Sequence, residues 1–113
     1  MIIFKVFSLL WMAFIFFLSS LTKSDLQNLP KISDILGHGT LYLILGGLLY
    51  FAFDRHRGRW AVIISALYGL TDEFHQHFVP GRTPEVKDLL VDTLAALTAV
   101  ILINLIANRK KSL

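Results

Sequence analysis

Four apolar segments, Ile3 to Leu21, Ile35 to Phe53, Trp60 to Val79 and Val86 to Ala107, occupy most of the 113-residue chain and are joined by short polar connections. Each is about 20 residues long, the length an α-helix needs to cross a hydrocarbon core roughly 30 Å thick. A soluble fold of this size could not hide them. Hydrophobic residues make up 55% of the chain and charged residues 17%, and a small domain has too much surface for its volume to bury such an excess. The expectation is an all-α fold: a four-helix bundle integral to a membrane, with residues 1–113 forming one domain, since no repeat or long linker divides them. Lys5 ahead of the first run imitates a signal peptide, but the run is long for an h-region and no A-x-A-like site follows, so it reads as a retained helix. With no cysteine, disulfides and thiolate metal sites are excluded.

The net charge of +3 would suit nucleic acid, yet the cations lie between apolar runs rather than along one polar face. They read as topology signals instead. Lys5, Arg55, Arg57, Arg59, Arg109, Lys110 and Lys111 fall on one side, and Lys23, Lys31, Arg82 and Lys87 on the other. This bias puts both termini in the cytoplasm. Local signals set the helix ends. Ser33 suits the N-cap of the second helix, Thr83 and Pro84 the N-cap and first position of the fourth, and "VPGR" at 79–82 a tight turn with Pro80 and Gly81 at its centre.

Helical geometry then brings the polar residues together. Asp72 lies twelve residues beyond Trp60, about 18 Å along the third helix and in the outer half of the membrane. Asp92, one turn below Asp88 on the fourth helix, falls at a similar depth. At about 100° per residue, Ser65, Gly69, Asp72 and Gln76 share a stripe flanked by Glu73 and His75, and Asp88, Asp92, Ala95 and Ala99 share another. Asp34, His38 and Tyr42 descend the second helix at four-residue spacing, and Ser19 and Ser20 close the first. The inner halves are almost wholly apolar, so the expected bundle has a polar cleft open only to the outer side. That pattern argues against a transporter, whose polar residues would continue to the cytoplasmic face.

Acids at membrane depth are costly unless they have partners, and the residues leave several readings open. Arg82, Lys87 and His38 would neutralise them in a packing lock, making the chain a structural or partner protein. A divalent cation would suit Asp, Glu and His supplied by three helices, although His75 and His77 in "HQH" point about 200° apart and cannot share an ion. Acid–base chemistry is the third reading, that of a membrane hydrolase or transferase. Crowded carboxylates there work with His38 or His75, and the candidate catalytic set is Asp72, Glu73, His38, Asp88 and Asp92. Gln76, Arg82, His75, Ser19, Ser20 and Tyr42 are candidates for holding a substrate. The serines are also suited to bonding backbone carbonyls, and Arg82 to receiving a phosphate or carboxylate or to pairing with Glu85 or Asp88.

The arrangement resembles the VanZ-like family of membrane proteins. Its hallmark is matched by Asp72 and Glu73, Gln76, the turn Pro80-Gly81-Arg82, and Asp88 with Asp92 four residues on; Asp34, His38, Tyr42 and the Ser19-Ser20 pair fit the earlier part. The resemblance covers nearly the whole chain. Ala95 stands where the family commonly has Gly, which should loosen a helix contact slightly, and Ile35 where Lys often follows the Asp. The founding member is associated with reduced susceptibility to teicoplanin-type glycopeptide antibiotics, which act on lipid-linked cell-envelope precursors outside the membrane. The resemblance therefore implies a membrane lipid or lipid-linked envelope component as the cleft's partner.

Overall fold

The structure, a computed structural model, describes residues 2–20, 34–79 and 86–112, without the side chains of 34–36 and 109–112. The Ser33 cap, the Asp34 side chain, the turn at Pro80-Gly81-Arg82, the Thr83-Pro84 cap and the loop carrying Lys23 and Lys31 lie outside the described residues. Within them the fold is four helices and no strand: α1 (Ile2–Ser19), α2 (Asp34–Ala52), α3 (Arg57–Gln76) and α4 (Val86–Ser112). By length and composition, α1 and α4 (Val86–Asn108) are long and apolar enough to cross a membrane. The apolar part of α2, Gly37–Ala52, is shorter, and α3 carries arginines at one end and acids at the other. The helix ends differ from the expected boundaries by a few residues. The largest extension, of α4 through Asn108 to Ser112, continues in Arg and Lys, good helix formers that also favour the negative end of the helix dipole.

Local hydrogen bonds set the ends that are described. Ser19 and Ser20 both turn back on α1, their hydroxyls donating to the carbonyl of Phe16 at 2.9 Å. His56, in the left-handed region at φ 52°, reverses the chain between α2 and α3. At the far end of α3, Phe78 N–H donates to His75 O and Val79 N–H to Gln76 O, a tightening of the last turn that uses up carbonyls left over when a helix stops.

The helices run alternately up and down, so α2 and α4 are parallel. Phe4 of α1 meets Phe51 of α2, and Tyr50 of α2 donates to Asn104 of α4 at 2.6 Å, which puts the start of α1 and the ends of α2 and α4 together. That basic end also holds Lys5 over the Phe53 ring and Arg57 over the Tyr50 ring. Trp11 Nε1–H donates to Leu41 O and the Tyr68 hydroxyl to Met12 O, tying α1 to α2 and to α3. The closest packing joins α2 to α4: a Cβ on Gly46 would lie 2.9 Å from the Ala96 Cα and 3.0 Å from its carbonyl oxygen. Backbone approach of this kind needs a residue without a side chain.

The distribution of polarity is inverted relative to a soluble bundle. On α3 the buried stripe is Ala61, Ser65, Gly69, Asp72 and Gln76, while Ile63, Leu67, Leu70 and Phe74 are exposed. On α4 Asp92, Ala96, Ala99 and Val100 are buried, and Leu90, Leu94, Leu97 and Ile101 are exposed. Ala96 is the small residue that the α2 backbone approaches at Gly46, while Ala95, half-buried, packs against the core beside it.

Candidate functional site

Opposite the basic end, three helices each turn one polar side chain into the bundle. His38 sits in the first turns of α2, Asp72 near the end of α3 and Asp92 in the second turn of α4. Asp92 is only 1% exposed and Asp72 6%. His38 Nδ1–H donates to Asp92 Oδ1 at 3.0 Å, close enough to form an ion pair when the imidazole is protonated. One ligand atom from each of His38, Asp72 and Asp92 lies within 4.8 Å of the others. Sequence periodicity brought these three to one layer, and the structure brings them into one cluster.

Gly69 is what admits Asp92. A Cβ there would stand 3.1 Å from Asp92 Oδ2 and 3.4 Å from its Cβ, so the carboxylate is seated against bare α3 backbone. Periodicity marked Gly69 as a small packing residue and missed this more specific role; the signal was its place one turn below Asp72. Tyr42, one turn along α2 from His38, is completely buried, and its hydroxyl is within electrostatic reach of Asp72 and Asp92. Gln76 is buried one turn beyond Asp72.

Glu73 behaves differently from its neighbour. Its carboxylate accepts a hydrogen bond from the backbone of Leu89, one of the first-turn N–H groups of α4 that have no partner within their own helix. Glu73 therefore closes the start of α4 and pins the two helices together, a role that sequence reading missed. Asp88, half-buried in the same first turn, adds its charge to the field on His38 and Glu73. Replacing Glu73 with Ala is expected to cost about 0.5–2 kcal/mol, the usual worth of a lost cap, and to speed amide exchange at the start of α4. The Gln variant, which still offers an acceptor, should keep most of the protection.

His75 and the serines form a second group on α1. His75 stacks on Phe16 with ring centroids 4.3 Å apart, and its Nε2 lies 2.9 Å from Ser20 Oγ. Ser20 has a single hydroxyl proton, which the Phe16 carbonyl also accepts at 2.9 Å. When that bond is made, His75 Nε2–H is the donor to Ser20 and does not act as its base. Ser19 is buried and bonded to the same carbonyl. His77 is not part of the cluster and lies edge-on to Phe78. Arg82 lies outside the described residues.

Beside the cluster an open groove of about 670 Å³ runs along the outside of α3, lined by Leu70, Thr71, Glu73, Phe74 and His77. Glu73 lines the groove, caps α4 and lies within electrostatic reach of Asp72, Asp88 and His38. The groove thus lies on the outward face of α3 and the cluster on its inward face, with Glu73 between them.

The family model VanZ/LLP1 matches residues 4–107. The chain belongs to the VanZ/LLP1 family. No curated protein and no solved structure matches it. The VanZ-like motif residues fall into two structural classes: His38, Asp72 and Asp92 meet in the interior with Tyr42 and Gln76 beside them, whereas Glu73 and Asp88 organise the start of α4. The Ala95 departure from the VanZ-like pattern falls beside the α2–α4 contact, not at it.

Proposed function

We propose that the chain is a multi-pass protein of a bacterial cytoplasmic membrane, one VanZ-like domain with both termini inside, whose acidic end is an outward cleft that binds a lipid or lipid-linked cell-envelope component. What supports it most is that one end of α3 carries both the buried His38–Asp72–Asp92 cluster on its inner face and the apolar groove of Leu70 and Phe74 on its outer face, with Glu73 between. An acyl or prenyl chain suits that groove, hydroxyl groups of its head suit the cluster, and an anionic group suits Arg82. The inverted polarity of the helices, with Leu and Phe outside and Ser, Asp and Gln inside, agrees with a lipid surround. Aromatic rings and cations at the basic end agree with an inner interface. Such a cleft meets the precursors on which glycopeptide antibiotics act, and altered susceptibility to them would follow from occupying or changing those precursors.

Native mass spectrometry after gentle extraction tests the reading. Wild type is expected to carry a lipid or lipid-linked species, and Leu70→Trp, which fills the groove without touching the cluster, to carry about tenfold less, equivalent to ~1.4 kcal/mol. A wild-type chain that emerges free of lipid rejects it. Orientation is tested separately by a reporter fused after Leu113, expected to be active only in the cytoplasm; activity outside would reverse the topology.

The His38–Asp92 pair favours a second reading, a membrane hydrolase or transferase working on the same ligand. A carboxylate holding an imidazole in one orientation is an arrangement used for proton transfer. Turnover of a bound lipid-linked species, lost in His38→Gln, distinguishes this from binding alone.

A further inference from the structure

We propose that His38, Asp72 and Asp92 form a binding site for a first-row divalent cation of the zinc or manganese class. The inference rests on reading this end of the bundle as a ligand site rather than a packing lock, and it concerns the ion that the cluster holds.

The geometry is close to what such an ion requires. Two ligand atoms each about 2.1 Å from one ion stand about 3.4 Å apart in a tetrahedron. The three side chains already offer ligand atoms within 4.8 Å of one another, so side-chain rotations of about 1 Å would close the set. Each ligand comes from a different helix, and the site therefore needs no special loop. The donor types are selective. Imidazole nitrogen with two carboxylates suits Zn²⁺ or Mn²⁺, whereas Mg²⁺ and Ca²⁺ prefer oxygen alone. Two carboxylates and a neutral imidazole carry a charge of −2, which a divalent ion cancels.

A second observation points to something absent from the polypeptide. Asp92 Oδ2 is buried with no hydrogen-bond partner among the described residues, and so is the hydroxyl of Tyr42. Tyr42 is wholly inaccessible, stands one turn from His38 on the same face of α2, and is within electrostatic reach of both acids. A buried carboxylate oxygen and a buried phenol left without partners are costly. An ion accepts the first as a ligand, and a water on the ion's open side accepts a hydrogen bond from the second. The present His38–Asp92 bond is what the metal-free site is expected to make, with a proton where the ion would go.

The test uses the full chain in detergent, carrying an affinity tag without histidine and stripped of metal, with Zn²⁺ as the probe. Wild type is expected to bind about one ion per chain. His38→Gln and Asp92→Asn are each expected to weaken binding by at least about 100-fold, because even outer-shell partners of a metal are worth 10- to 100-fold. His56→Gln, at the opposite end, should bind as wild type. Uptake by wild type that does not exceed that of His38→Gln overturns the site, and displacement of Zn²⁺ by equimolar Mg²⁺ overturns the class of ion. Should Asp92→Asn fail to fold, His38→Gln decides the outcome alone. Lipid retention by the metal-free chain is measured on the same samples: metal without lipid leaves this site standing and removes the lipid reading, and lipid without metal does the reverse.

Discussion

Gly46→Ala is expected to destabilise the folded chain by about 1–3 kcal/mol, the usual cost of overpacking a close contact, seen as a lower midpoint of unfolding in detergent. The sign is diagnostic, because Gly to Ala inside a helix ordinarily gains up to about 1 kcal/mol. Here the added methyl would lie 2.9 Å from the Ala96 Cα and 3.0 Å from its carbonyl oxygen. Those atoms are backbone, so no rotamer change relieves the overlap and α2 must move away from α4. The neighbouring position supplies the control. A Cβ on Gly47 would meet only the tip of Ile103, at 3.9 Å, so Gly47→Ala should be neutral or stabilising. Gly46→Leu is expected to leave no native bundle. Equal behaviour of Gly46→Ala and Gly47→Ala would refute the close approach.

The second large effect concerns the buried pair. Asp92→Val leaves His38 beside an apolar wall, and the cost is expected toward the lower end of the roughly 3–5 kcal/mol found for breaking a buried pair, since the His38 side chain keeps 17% of its exposure. Adding His38→Leu should recover much of that stability, because two apolar groups no longer leave a polar atom stranded. The double variant should still retain no lipid and no Zn²⁺. A thermodynamic cycle over the wild type, both single variants and the double variant gives the coupling energy. Stability recovered together with ligand binding would mean that the cluster is only a packing lock.

The four helices were legible because long apolar runs broken by short polar stretches are strong signals. The layer shared by His38, Asp72 and Asp92 was legible for the same reason, since rise per residue converts sequence position into height. What could not be read was the rotation of one helix against another. Periodicity gives the face of each helix separately; it put Ala95 on the stripe of Asp88, Asp92 and Ala99, whereas the crossing of α2 brings Gly46 against Ala96. Likewise Glu73 and Asp72 are adjacent acids in the sequence. One turns inward, and the other reaches the unpaired backbone at the start of α4, a partner that has no sequence signature. His75 looked like a member of the acidic cluster until packing against Phe16 drew it toward α1.

The contact between Gly46 and Ala96 also acts as a fulcrum. Gly46 is eight residues from His38 along α2, about 12 Å, and Ala96 is four from Asp92 along α4, about 6 Å. A change of about 5° in the tilt of α2 about that point would move His38 by roughly 1 Å, enough to break its 3.0 Å bond to Asp92. The lever has unequal arms, so its long arm magnifies at His38 any disturbance made at Gly46. It also works in reverse: whatever draws His38, Asp72 and Asp92 together pulls on the crossing of the two parallel helices, and occupancy of the acidic end would be felt at the basic end through the bond between Tyr50 and Asn104.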